Sequence, residues 1–282
     1  MKRRMRKKIY CVIALCLAAP FLLPSNSWAA KKSKGGKMII TAKSAIFADS
    51  SRAKPLYGKD IDNRVPPAST LKVMTALLVL EKISLDKVVT VSRQATYPQP
   101  SKINARIGEQ YKVSSLLYAV LLKSANDASI VLAEAVAGSE DNFVDMMNQR
   151  ARRLGCKNTK FANSHGLPDT DSQYTTAYDM YLIFKEALKY PFFRQAIQCR
   201  YKTIYSEEGR KIGLTSHNDI LFSKWKQKIY GKTGYTRSAK ACFVGYLQKD
   251  GRDFIIAVLG CKSKCRWKEI KYIVSTYGGI SL

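Results

Sequence analysis

Apolar positions divide the chain into stretches of distinct period. Ile39–Ala48 reads as a strand, Asp49–Lys54 as a polar turn and Pro55–Lys59 as a returning strand. Pro66 and Pro67 stop the chain before a new element. Ser69–Leu80 follows, apolar at Leu71, Val73, Met74, Ala76, Leu77, Leu78, Val79 and Leu80. With almost no polar face, it predicts a helix buried on all sides. Residues 114–123 and 127–137 predict two more helices, joined at Ser124–Asn126. Asn142–Leu154 is another, ended by Gly155, and Thr176–Lys189 is helical. Asn163–Thr170, with Gly166 and Pro168, is a loop. Beyond it the period shortens. Lys228–Tyr230, Ala241–Leu247 and Phe254–Leu259 are strand-like, with a hairpin turn at Lys249-Asp250-Gly251-Arg252. Trp267–Tyr277 closes as a helix. The order predicts an α+β fold: one antiparallel sheet built from both chain ends and flanked by helices, with a helical lobe inserted between them.

The first 29 residues stand apart. Residues 2–8 carry six Lys or Arg and no acid, Ile9–Leu23 is mostly apolar, and Ser27-Trp28-Ala29 fits a cleavage site. This is the pattern of a secretory signal peptide cleaved after Ala29, with an uncleaved anchor as the alternative. Residues 30–37 form a basic leader and 38–282 the folded domain. Export places the protein in the periplasm or on the outer face of the cytoplasmic membrane.

Charge and cysteine content narrow the picture. The full chain carries a net charge of +27, and loss of the six signal cations leaves +21. Such a chain is drawn to polyanions, and an exported one meets the anionic cell envelope rather than nucleic acid. Past the signal lie Cys156, Cys199, Cys242, Cys261 and Cys265, an odd number, so pairing within the chain is incomplete. With only His165 and His217 and no CxxC, the sequence offers no metal site, and no cofactor is expected.

Three short patterns carry chemistry. Ser69-Thr70-Leu71-Lys72 opens the buried helix, and the three-residue spacing puts serine and lysine on one face. A serine hydroxyl needs a base, and a lysine serves when desolvation and the positive end of a helix lower its pKa. Ser51…Lys54, Ser84…Lys87 and Ser223…Lys226 repeat the spacing, but in turns or polar segments. Ser124-Ala125-Asn126 sits between two helices, where a hydroxyl can relay a proton and an amide can hold a carbonyl. Ser216-His217-Asn218 shares that pattern. Lys232-Thr233-Gly234 ends a strand: an ammonium and a hydroxyl for a carboxylate, and a glycine that lets backbone approach.

The order SxxK, SxN, KTG belongs to penicillin-binding proteins and class A β-lactamases. The chain resembles the low-molecular-weight penicillin-binding proteins, serine D-Ala-D-Ala carboxypeptidases, over roughly residues 38–262. The matching stretches are PPASTLKVMTALLVLE, LLYAVLLKSANDASIVLAEAVAGS, NSHGLP with QYTTAYDM, and GKTGYT. The resemblance implies a β-lactamase/penicillin-binding-protein-like fold and removal of the terminal D-Ala from peptidoglycan stem peptides, with β-lactam antibiotics as covalent inhibitors. It implies that Ser69 forms the acyl-enzyme, Lys72 accepts its proton and Ser124 shuttles protons. Asn126 would hold the substrate amide, Lys232 and Thr233 would bind the terminal carboxylate, and Gly234 would let the substrate backbone approach closely. Backbone N–H groups of Ser69 and Tyr235 would form an oxyanion hole. His165 is expected to shape its loop and His217 to lie at the surface or a strand edge. Ala125 and Lys240 stand where the family usually has glycine. The family's usual β-rich second domain and C-terminal amphipathic anchor are not expected here.

Three rivals remain. A class A β-lactamase would need a deacylating glutamate in Asn163–Gln173, which holds Asp169 and Asp171 instead. A DD-endopeptidase would use the same residues. A non-catalytic basic envelope-binding protein would use none of them.

Overall fold

The computed structural model describes residues 38–168, 173–262 and 265–282. The signal and leader therefore lie outside the described residues, as do Asp169 and Asp171. In chain order the elements are β1 (Ser44–Asp49), β2 (Tyr57–Lys59), α1 (Lys72–Lys82), β3 (Val88–Thr90), β4 (Gln110–Lys112), α2 (Val113–Tyr118), α3 (Asn126–Ala137), α4 (Glu140–Arg153), α5 (Ala177–Ala187), α6 (Pro191–Gln198), β5 (Tyr201–Tyr205), β6 (Lys211–Thr215), β7 (Tyr230–Thr236), β8 (Lys240–Lys249), β9 (Arg252–Cys261) and α7 (Arg266–Gly278).

The main sheet has the order β2-β1-β9-β8-β7, every pair antiparallel. First and last strands meet at its centre, where Ser44 pairs with Leu259 and Asp49 with Phe254. This is the predicted sheet from both chain ends. Its central strands are apolar at nearly every position because both faces are covered. Along β9, Phe254, Ile256 and Val258 face the cluster under α7, with Ile270, Ile273 and Val274. Ile255, Ala257 and Leu259 face the larger cluster that includes α1, α3 and α5. The period of two thus feeds two cores. The helical lobe joins the sheet through α1, in which Lys72–Val79 is buried throughout.

Several boundaries differ from the sequence reading. Ser69 lies in a 3-10 turn, Ala68–Leu71, and the α-helix begins at Lys72. The strand expected at 228–230 runs instead over Tyr230–Thr236, so the KTG triplet lies within it rather than at its end. The glycines that hid the strand are what its packing demands: a Cβ on Gly231 would meet Val244 O at 2.2 Å, and one on Gly234 would meet Ser69 N at 3.0 Å. The β3–β4 and β5–β6 hairpins carry no strong sequence signal; α6 does, with Pro191 at its start and Phe193, Ala196 and Ile197 at helical spacing, but the sequence reading did not place it. The β5–β6 strands are largely exposed: only Ile204 of β5 and Ile212 and Leu214 of β6 are buried.

Candidate active site

An open cleft of about 260 Å³ lies where β7 passes the 3-10 turn and the α2–α3 connection. Ser69, Ser124, Asn126, Thr233, Gly234 and Tyr235 line it. The structure therefore gathers residues from all three sequence patterns at one place, and leaves the three other SxxK pairs outside it. Ser51 bonds Asp49, Ser84 accepts from Asp86 N and Ser223 bonds Ile220 O, with Lys54, Lys87 and Lys226 exposed.

Each side chain is set by its local backbone. The turn before α1 presents Ser69 Oγ to Lys72 Nζ at 3.1 Å. After α2 the chain passes through a π-helical turn, Ala119–Lys123, and Ser124 takes left-handed dihedrals (φ 61, ψ 34). A non-glycine residue there costs on the order of 1 kcal/mol and turns its side chain out of the helix. Ser124 Oγ accepts from Lys232 Nζ at 2.9 Å. The next residue, Ala125, is extended (φ −63, ψ 120), where alanine substitutes for glycine without strain. Lys240, the other departure, sits at φ 58, in the region that favours glycine.

Both lysines are buried. Lys72 Nζ also donates to Asn126 Oδ1 at 2.7 Å and to the carbonyl of His165 in a short bond. Burial pushes the Lys72 amine well below the usual lysine range, and the nearby Lys232 ammonium adds to this. Asp127 and Glu140 act in the opposite sense without reversing it. Burial, with Arg266 nearby, lowers Lys232 to about 7. Two Ser–Lys pairs thus stand side by side, each lysine inclined to give up its proton.

The loop over 163–168 is built to hold the His165 carbonyl. Asn163 Oδ1 accepts from His165 N and Gly166 N, and Glu140 Oε1 accepts from Ser164 N and Oγ. Thr75 Oγ1 donates to Ser164 O at 2.7 Å. His165 Nδ1 accepts from Leu167 N, inside its own loop. Gly166 has φ 91, and a Cβ there would lie 2.2 Å from Ala68 O, directly behind Ser69. Gly166→Ala is therefore expected to cost about 2–4 kcal/mol of stability and to slow acylation of Ser69 more than tenfold. Thermal unfolding and penicillin-labelling rates measure the two effects.

Six residues that line the cleft were not singled out as site residues by the sequence: Pro100, Ser101, Leu167, His217, Thr236 and Arg266. Arg266, at the start of α7, lines the cleft, donates from Nη1 to Cys242 O at 3.1 Å, and has a buried Nε with no partner. Its lowered pKa comes from burial. Sequence offers only a lysine- and arginine-rich stretch there. His217 also lines the cleft; its exposed side chain fits the surface expectation, but its place at the rim does not follow from the sequence. Although the residue is exposed overall, the cleft partly encloses its imidazole, and that desolvation, then Lys232, hold it below the usual range. In the second SxN pattern, Asn218 bonds Ile220 N and Ile229 O, a turn cap. All five cysteines among the described residues are free thiols.

Comparison with known proteins adds family and fold. The profile of the D-alanyl-D-alanine carboxypeptidase family, Peptidase_S11, matches residues 30–263. The chain is 35% identical over 228 residues to D-alanyl-D-alanine carboxypeptidase DacF of Bacillus subtilis, covering 79% of this chain and 58% of that protein. It is 33% identical over 260 residues to D-alanyl-D-alanine carboxypeptidase DacB2 of Mycobacterium tuberculosis, covering 90% and 88%. The fold superposes on the crystal structure of the Streptomyces K15 DD-transpeptidase with a TM-score of 0.79 at 26% identity, over 86% of this chain and 99% of that one.

Proposed function

The chain belongs to the D-alanyl-D-alanine carboxypeptidase family, and from that premise we propose that it is an exported serine hydrolase that removes the terminal D-Ala from peptidoglycan pentapeptides. The single observation that carries this reading is Lys72 Nζ, buried and depressed in pKa, 3.1 Å from Ser69 Oγ.

In the reading, Ser69 Oγ attacks the carbonyl of the penultimate D-Ala as the neutral Lys72 amine takes its proton. Backbone N–H groups of Ser69 and Tyr235 receive the oxyanion. The leaving D-Ala amine takes its proton from Ser124, with Lys232 behind it at 2.9 Å. The resulting ester is hydrolysed by water. β-Lactams enter by the same attack and remain attached. Asn126 holds Lys72 through Oδ1 and donates through Nδ2 to Gln99 O, so it positions the base as well as lining the cleft.

The free carboxylate of the substrate fits the end of the cleft formed by Thr233 and Arg266. Lys232 is only 1% exposed and acts from behind this wall. Both cations are therefore expected to matter. Lys232→Gln and Arg266→Gln should each lower cleavage of free-ended peptides by on the order of 2–5 kcal/mol, roughly thirtyfold or more. The check is HPLC of D-Ala release from an acetylated pentapeptide. An Arg266→Gln enzyme with unchanged kcat/KM would remove Arg266 from the carboxylate site. Cleavage of cross-linked dimers without loss of terminal D-Ala would favour an endopeptidase instead.

Export rests on the 1–29 segment. No helix among the described residues is long and apolar enough to cross a membrane. Retention on the anionic envelope through the excess positive charge should weaken as salt rises.

A further inference from the structure

Among the described residues, four exposed aromatic rings lie at the cleft, or on or against the β5–β6 hairpin that leads from it. Tyr235, 57% exposed, lines it. Tyr201 (67%), Phe222 (42%) and Tyr205 (53%) lead away from it over the β5–β6 hairpin. Antiparallel register sets Tyr201 opposite Thr215, Thr203 opposite Gly213 and Tyr205 opposite Lys211. These six positions share one face of the hairpin, and all six are exposed. The face is continuous with the cleft: Thr215 lies two residues before the cleft residue His217, whose N–H donates to Leu122 O, and Ser216 N donates to Arg200 O, next to Tyr201. The Phe222 ring meets that of Tyr201 edge-on, centroids 5.5 Å apart. Four residues on, about 13 Å along the strand, stands Tyr205. Between them Gly213 leaves the floor open, for a Cβ there would touch nothing within 4 Å.

A face of this composition fits a particular chemistry. The C–H face of a pyranose is apolar and slightly positive, and it rests on the negative face of an aromatic ring. The equatorial hydroxyl and acetamido groups of such a sugar need donors at its edges. Thr203, Thr215 and Lys211 supply them between the rings.

We infer that the outer face of the β5–β6 hairpin, with Phe222, binds the β-linked N-acetylhexosamine strand that carries the stem peptide, so that the glycan lies on the ledge while its peptide enters the cleft. The substrate half of this inference rests on the carboxypeptidase reading; the glycan-binding half does not. Gly213→Val tests it cleanly, since it has open space, no left-handed φ and a residue favoured in strands, and it raises a side chain from the ledge floor. Tyr201→Ala and Phe222→Ala remove the rings themselves. Two measurements decide. Peptide-free glycan strands, prepared by amidase digestion, are titrated against the parent protein and each variant. The release of D-Ala is then compared between glycan-linked pentapeptide and free pentapeptide. Glycan affinity is expected to fall about tenfold in all three variants. The kcat/KM for the glycan-linked substrate should fall in parallel, with less than a twofold change for the free peptide. Equal glycan binding by parent and variants overturns the inference, as does an equal loss on both substrates. Selective glycan binding with no D-Ala release from either substrate upholds the ledge and overturns the carboxypeptidase reading alone.

Discussion

Ser69→Ala is expected to abolish covalent labelling by a fluorescent penicillin, lowering acylation by at least about four orders of magnitude. The fold should survive, because the hydroxyl is replaceable in the local network. Lys72 Nζ retains Asn126 Oδ1 and the His165 carbonyl when Ser69 Oγ is gone. Thermal unfolding within about 1 kcal/mol of the parent would verify that. The comparison set is built into the chain. Ser51→Ala, Ser84→Ala and Ser223→Ala alter serines with the same spacing to a lysine, and none should reduce labelling. Loss of label in one of those three, with retention in Ser69→Ala, would refute the nucleophile assignment.

Lys72→Arg should be nearly as damaging as Lys72→Ala, each slowing acylation by about 10²–10⁴-fold. Arginine keeps a cation beside Ser69, but its guanidinium does not release a proton near neutral pH. The two roles open to Lys72, base and charge, therefore separate in one substitution. The pH dependence has a defined sign. Burial lowers the Lys72 pKa, so the neutral amine grows as pH rises through that lowered value, and acylation by the parent should rise with it. Lys232, lowered to about 7, loses its charge as pH rises through that value, and carboxylate binding should weaken there. The parent is expected to show a bell-shaped profile with free-ended peptides, measured as kcat/KM against pH. Substantial acylation by Lys72→Arg would show that Lys72 supplies only charge.

What the sequence could and could not tell follows from where the information lies. The α1 run was legible because a helix covered on every side must be apolar on every side; its one buried cation, Lys72, therefore stood out. The central strands were legible for the same reason. The KTG strand was misplaced because its two glycines are required by Val244 O and Ser69 N, contacts made by distant segments. Arg266 went unnoticed because nothing in its neighbourhood distinguishes it from the other cations of a basic chain; only the return of α7 to the cleft does. The bond from Lys72 to Asn126 likewise depends on how α1 and α3 pack. The β5–β6 hairpin was missed because a two-stranded ribbon with an exposed face lacks a strong apolar alternation.

The pairing of β1 with β9 sets the order in which this chain acquires structure. Ser44 and Leu259 are adjacent in space and more than two hundred residues apart in sequence. A sheet closed by its own first and last strands has high contact order, and the entropy of closing so long a loop must be met before the pairing gives anything back. During synthesis β1 has no partner on one edge until β9 has emerged. The helical lobe can collapse earlier, but it lacks the sheet on which α5 rests. Ser124 and Lys232 likewise meet only after β7 has docked, so the growing chain carries Ser69 for most of synthesis without a cleft around it.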